Sequence, residues 1–317
     1  MPDDTTTLHR AQTNLLVPYQ GKAPPAPNWF TQAVETPYES HVITVDDVPV
    51  RYQSWGDPSA PGILLVHGNG AHAHWYDFIA PYLAQDHHVV AMTFSGMGDS
   101  GWREKYSIVQ FSEEQMAVCA HSGLFSKAEK PILIAHSFGG FVTLQTGADH
   151  SDQFSGIIIV DSPIRPPEDN WDGPPKRGGG NRVYADLTGA LSRFRLAPPQ
   201  GCENHFIVDY IARHSLKQVS EPGGPTGWTW KFDPFIWQHF EAAEPSHELV
   251  KKISCRLSYM RGEHSGLVTD RIWTYMQSLR PDARFISIPE ADHHVMLDQP
   301  LAFVAATRAQ IAAWREN

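Results

Sequence analysis

No stretch of the 317-residue chain comes near the roughly 18–20 consecutive apolar residues that a membrane-crossing helix needs. Cysteine is scarce. Cys119, Cys202 and Cys255 are scattered, odd in number and without C-x-x-C spacing, which points away from a disulfide framework and from a zinc site. Positive charge is in deficit: 25 Lys and Arg stand against 35 Asp and Glu, a net of −10. A field of that sign repels phosphate backbones, so nucleic acid is not an expected ligand. The glycine-containing run LLVHGNGAHAHW (64–75) fits neither of the phosphate-cradling patterns GxGxxG and GxxxxGK. The leading MPDDTTTLHR is polar and acidic, so neither a signal nor a transit peptide is expected, and the expected location is cytoplasmic.

What is present is enough chain to bury a core without staples, as about two domains or one large domain with an insertion. Short apolar runs alternate with helical patterns. HVITV (41–45) and VPVRYQSW (48–55) read as a strand pair turned at Asp46-Asp47. GILLVHGNG (62–70), HHVVAMTF (87–94), PILIAHS (131–137) and GIIIVDS (156–162) are continuous apolar runs, as suits strands buried on both faces. CRLSYMRG (255–262) and RFISIPEA (284–291) supply two late strands, and LAFVAATRAQIAAW (301–314) has helical spacing. This alternation is that of an α/β protein with a mainly parallel, doubly wound sheet. Residues 1–38 read as an irregular lead-in, and 39–162 with 245–317 as the core. Residues 163–244, rich in Pro, Gly and aromatics, interrupt the rhythm. The insertion is far longer than an ordinary loop of about 4–6 residues and reads as a helical cap, with helical patterns near 181–194 and 205–219.

Three motifs carry chemistry. In PILIAHSFGG, Ser137 falls between a strand and a helix, with Ala135 and Gly139 two positions to either side. A serine on so sharp a turn projects its hydroxyl above the sheet, and bulky neighbours would collide where strand and helix converge. In LLVHGNGAHAHW (64–75) a strand ends at His67-Gly68. An oxyanion needs two backbone donors aimed at one point, here the amides of Asn69 and Phe138. In IPEADHHVMLDQP (288–300) a loop before the last helix presents His293, an imidazole able to take the proton of Ser137 near neutrality. His293 rather than His294 is followed five residues later by Asp298 and then by x-Pro300.

Together these motifs resemble the α/β-hydrolase fold family over residues 40–316, and GDSGW (98–102) resembles the loop that the family carries after its fourth strand. The nearest likeness is to capped bacterial serine carboxylesterases of the pimeloyl-carrier methyl ester esterase group. The resemblance implies a mainly parallel eight-stranded sheet flanked by helices, with an inserted cap. It also implies a Ser-His-acid esterase that needs no cofactor or metal and acts on a small-molecule ester, as a monomer or homodimer. The chain departs from the family pattern at Ala135 (commonly Gly), at Thr93 and Met97 (often Asp and His) and at Ser265, where the acid is commonly Asp. A serine cannot hold a negative charge against an imidazolium. Asp161, at the end of the strand before the cap, is the expected substitute; Glu263 and Asp270 are alternatives. Two rival functions share the fold: a carbon–carbon bond hydrolase acting on a ring-cleavage diketone, and a non-catalytic ligand-binding homologue. A serine at the turn argues against dehalogenase chemistry, which would require a carboxylate nucleophile.

Of the 17 histidines, His67 and His136 fall in motif positions as expected scaffolding. His72-x-His74 is followed by Trp75-Tyr76 rather than by further ligands, so no metal site is read there. The aromatics of the inserted segment, Trp171, Trp228, Trp230 and Trp237 among them, are expected to build its own core and line an apolar pocket.

Overall fold

Asp46 and Asp47 both adopt positive φ, 46° and 62°. Two such residues make the turn whose twist matches an antiparallel strand pair, and here they join β1 (Glu39–Val45) to β2 (Val48–Trp55). The computed structural model describes residues 14–169, 178–220, 226–238, 240–241 and 244–316. The strands that follow are β3 (Gly62–Val66), β4 (His88–Thr93), β5 (Tyr106–Ser107), β6 (Ile132–His136) and β7 (Gly156–Val160). After them come β8 (Leu216–Ser220), β9 (Thr226–Trp230), β10 (Phe240–Glu241), β11 (Arg256–Gly262) and β12 (Arg284–Ile288). Eight of them form one sheet in the order β1-β2-β4-β3-β6-β7-β11-β12. Only the β1–β2 and β2–β4 pairings are antiparallel, so the expected mainly parallel eight-stranded sheet is present.

The uninterrupted apolar runs have a simple reason. Successive side chains of a strand point to opposite faces, and here both faces are covered. Ile63, Leu65, Ile134 and Ile158 enter one core, with Phe303 and Ile311 of the C-terminal helix Pro300–Glu316. Leu64, Val66, Leu133, Ile157 and Ile159 enter the other, with Val118 of the helix Ile108–His121 and Val142 of the helix Phe138–His150. Among the described residues no helix is long and apolar enough to cross a membrane.

Two sequence expectations are corrected. The lead-in is not irregular throughout: Asn28–Val34 is a helix that buries Phe30 and Ala33. Phe30 sits 4.9 Å from the ring of Phe206 and 5.7 Å from that of Tyr210, so a long-range apolar contact stabilises a helix too short to stand alone. Nor is the segment between β7 and β11 purely helical. Within 163–244 the described residues form the helices Leu187–Leu191 and His205–His214, shorter than the patterns suggested, and then β8, which pairs antiparallel with β9. Pairing with the Trp- and Thr-containing β9 decides the conformation of residues 216–220, as cross-strand context commonly does. Trp171 lies outside the described residues.

Candidate active site

The strand β6 delivers Ser137 at the C-terminal edge of the sheet, one residue before a helix begins. Ser137 is held at φ 53°, ψ −119°, a backbone conformation that non-glycine residues rarely adopt. Its amide donates to Val160 O at 2.9 Å, and Ser162 Oγ donates to its carbonyl at 2.7 Å. The small residues beyond it are needed for contact reasons. A Cβ on Gly139 would come within 2.5 Å of His67 O, and one on Gly140 within 2.0 Å of Ser162 Oγ. The turn is therefore clamped between the ends of β3 and β7.

His293 is buried in the loop before the last helices, and its Nε2 lies 3.0 Å from Ser137 Oγ. Its Nδ1 lies 2.8 Å from Asp161 Oδ1. Asp161 follows β7 directly, with φ 48°, and its side chain is fully buried. That carboxylate is paired completely: Ser265 Oγ donates to Oδ1 at 2.6 Å and the Gly262 amide donates to Oδ2 at 2.8 Å. Ser265 Oγ in turn accepts from the amides of Leu267 and Val268. Hence the serine at the position where the family commonly has an acid is a hydrogen-bond donor to Asp161. Glu263 is exposed, and its Oε2 accepts from the Glu290 amide at 3.2 Å, away from His293. Asp270 is bound to Arg261 at 2.6 Å on the surface.

The loop after β3 is held from below by His67. Phe94 N–H donates to His67 Nε2 at 3.0 Å, so the ring proton is on Nδ1 and donates to Gly68 O at 2.7 Å. Burial holds this imidazole down at about 4, so it is neutral at pH 7. Thr93 fills a loop role: its Oγ1 accepts from the Ala73 amide at 3.0 Å. Phe138 is the first residue of its helix, and its amide has no carbonyl four residues back within that helix to bond. The Phe138 ring packs at 5.2 Å against Trp237 of the inserted segment. Sequence places Asn69 immediately after Gly68, whose Cα hydrogen faces Ser137: a Cβ there would lie 3.1 Å from Ser137 Cβ.

His136, His72 and His74 have structural partners. His136 Nε2 lies 3.0 Å from His293 O and its ring packs 4.8 Å from the His293 ring. Burial drives His136, His294 and His72 well below the ordinary imidazole value, with desolvation the largest cause in each. Ser215 Oγ donates to Ile211 O, so His72 Nε2–H donates to that same hydroxyl oxygen at 2.8 Å. His74 Nδ1–H donates to Asp77 Oδ2 at 2.6 Å, and Tyr210 OH donates there at 2.7 Å. The inserted segment thus grips the loop after β3 through Tyr210 and Ser215. It grips the loop after β4 through the Asp233 amide, which donates to Gly96 O at 2.7 Å, and β5 through the Asp233 carboxylate, which accepts from Tyr106 OH at 2.8 Å. It grips the His293 loop through Gln200 and Asn204. None of these anchors has a local sequence signature, because each joins residues far apart in the chain.

The arrangement has known relatives. The chain is 25% identical over 266 residues to esterase Rv0045c of Mycobacterium tuberculosis, covering 80% of this chain and 83% of that one. It is 23% identical over 251 residues to a pimeloyl-[acyl-carrier protein] methyl ester esterase of Neisseria meningitidis, covering 78% and 91%. Among solved structures, E-2-(acetamidomethylene)succinate hydrolase superposes with a TM-score of 0.70 at 16% identity, over 87% of this chain and all of that one. The crystal structure of esterase Rv0045c superposes with a TM-score of 0.61 at 20% identity, over 95% and 98%. The profile described as "Alpha/beta hydrolase family" matches residues 63–307, well over half of the sequence, and the chain belongs to that family.

Proposed function

We propose that this protein is a serine carboxylic-ester hydrolase that works through an acyl-enzyme on Ser137. One observation carries the reading: an unbroken hydrogen-bonded line from Ser137 Oγ through His293 to the buried carboxylate of Asp161, at 3.0 and 2.8 Å. Ser137 attacks the ester carbonyl while His293 Nε2 takes its proton. Asp161 holds the ring with its proton on Nδ1 and stabilises the imidazolium that forms. The amides of Asn69 and Phe138 receive the oxyanion. His293 then protonates the departing alkoxide, and a water that it deprotonates releases the acid and restores Ser137. Residues 163–244 act as a cap over this site, and the aromatic contact of Trp237 with Phe138 favours small to medium apolar or aromatic esters. The esterase names of the sequence relatives support the same chemistry.

The test is covalent labelling with a fluorophosphonate probe beside a substrate panel. Intact protein is expected to label at one site and to hydrolyse aryl esters, and Ser137→Ala to lose both. Equal labelling of Ser137→Ala would overturn the nucleophile. Turnover of a vinylogous diketone with no turnover of esters would move the reading to carbon–carbon bond hydrolysis.

A further inference from the structure

The ring of His293 is aimed by its own loop, and three backbone polar groups around it are tied down. The Asp292 amide donates to Asp298 Oδ2 at 2.9 Å. The His293 carbonyl faces His136 Nε2 at 3.0 Å. The His294 amide donates to Gln200 Oε1 at 2.9 Å. Gln200 belongs to the inserted segment, 93 residues before His293 in the numbering. The other end of the same side chain, Nε2, donates to Asp298 Oδ2 at 2.9 Å. One amide group therefore joins the backbone just after the histidine to Asp298, whose carboxylate in turn holds the amide just before it, at Asp292. Neighbouring residues reinforce the clamp: Asn204 Nδ2 donates to the carbonyls of Leu297 and Asp298, at 2.7 and 3.1 Å.

We propose that Gln200 is a positioning residue for the His293 base, so that the inserted segment supplies part of the mount of the catalytic histidine and not only a roof over the substrate. The inference rests on His293 being the base, as argued above. Glutamine suits the task because it alone among side chains of that length offers an acceptor and a donor on one rigid plane. The acceptor meets a backbone N–H and the donor meets a carboxylate; neither a hydrocarbon nor a carboxylate of the same length satisfies both. Release of the loop lets the imidazole drift between Ser137 and Asp161. Misplacement by about 1 Å at a reacting centre costs on the order of 100-fold.

The experiment compares wild type, Gln200→Met and Gln200→Glu, with Ser192→Ala as a control elsewhere on the insertion, where the hydroxyl donates only to the local Gly189 carbonyl. Measured for each are kcat and KM on an aryl ester, the rate of fluorophosphonate labelling, and Tm. Gln200→Met is expected to lose about 10- to 100-fold in kcat with KM within twofold. Labelling should slow in parallel, because it uses the same base. Ser192→Ala should match wild type. If Gln200→Met fails to fold, Gln200→Glu is read instead. It keeps the length and the acceptor for His294 N–H but sets a carboxylate against Asp298, and the same kcat-type loss is expected. A kcat within twofold of wild type in the folded variant overturns the proposal. A loss confined to KM with unchanged labelling also overturns it, since that marks a substrate contact. Activity retained by Ser137→Ala would instead refute the nucleophile and base assignment, so the two failures are distinguishable.

Discussion

Replacing Asp161 by asparagine tests the acid of the relay with almost no change of shape. In the native site Oδ1 accepts from His293 and Ser265, and Oδ2 accepts from the Gly262 amide. Asparagine has one acceptor oxygen and one NH2, so one of these positions must receive a donor. If the NH2 takes the Oδ2 position, it opposes Gly262 N–H in a buried site, at a cost of about 1–3 kcal/mol for unsatisfied groups. If it takes the Oδ1 position, it faces His293 Nδ1. That nitrogen must then be the bare one, so the ring proton moves to Nε2, and Nε2 can no longer accept the proton of Ser137. In either orientation the imidazolium also loses its counter-charge. The expected loss in kcat is about 10³–10⁴-fold, which is about 4–5.5 kcal/mol of transition-state stabilisation. Initial rates on an aryl ester at pH 7–8 give the number, with Glu263→Gln as the comparison; its exposed side chain should leave kcat within twofold. Adding Ser265→Asp to Asp161→Asn places a carboxyl beside the position of Oδ1 and should recover part of the loss, since Ser265 Oγ already lies 2.6 Å from that oxygen. An Asp161→Asn enzyme with more than a tenth of wild-type kcat, or a larger loss from Glu263→Gln, would refute the reasoning.

Further outcomes follow from the same contacts. Gly140→Ala should cut kcat at least tenfold: its Cβ would sit 2.0 Å from Ser162 Oγ, which must shift and release the Ser137 carbonyl; steady-state kinetics at a temperature where the variant is folded checks this. Arg103→Met should destabilise the fold by about 3–5 kcal/mol in urea titration, because it leaves the buried Glu114 carboxylate without its 2.9 Å cation partner. Stability should fall as pH drops through the window from 6.5 to 4. In that range the unfolded chain protonates His67 while the folded chain does not, a contribution present in full above 6.5 and amounting to about 3 kcal/mol for this residue. His72, His136 and His294 act in the same direction, and denaturant midpoints at pH 7 and pH 5 measure the sum.

Features made by neighbours in sequence were legible in it. The Asp46-Asp47 turn, the doubly buried strands, and a serine and a histidine each released at a strand end depend on local backbone preference and on which side chains a strand must bury on its two faces. The fold class follows from that alternation, and the family match over residues 63–307 agrees with it. Lead-in residues 28–34 escaped because their helix depends on Phe30 meeting Phe206 and Tyr210, a contact no local pattern announces. Residues 216–219 read as helix because their pairing partner, β9, lies further along the chain, outside any local window.

The carboxylate that serves His293 divides the two kinds of information most sharply. Read along the chain, Asp161 was the expected acid with Glu263 and Asp270 as alternatives, and Ser265 was a gap in the expected pattern. Which of them reaches the imidazole depends on the pairing of β7 with β11, which sets Asp161 beside Gly262 and Ser265 across about a hundred residues of chain. The contacts of Gln200 arise in the same way, between the insertion and a loop that lies 93 residues further along the chain. Sequence by itself determined the sheet, the turn that presents Ser137 and the candidate base, because strand burial and backbone sterics act over a few residues. Tertiary structure alone showed which carboxylate lies against His293 and which residues anchor the inserted segment, because hydrogen bonds between distant segments leave no periodic trace in the chain that makes them.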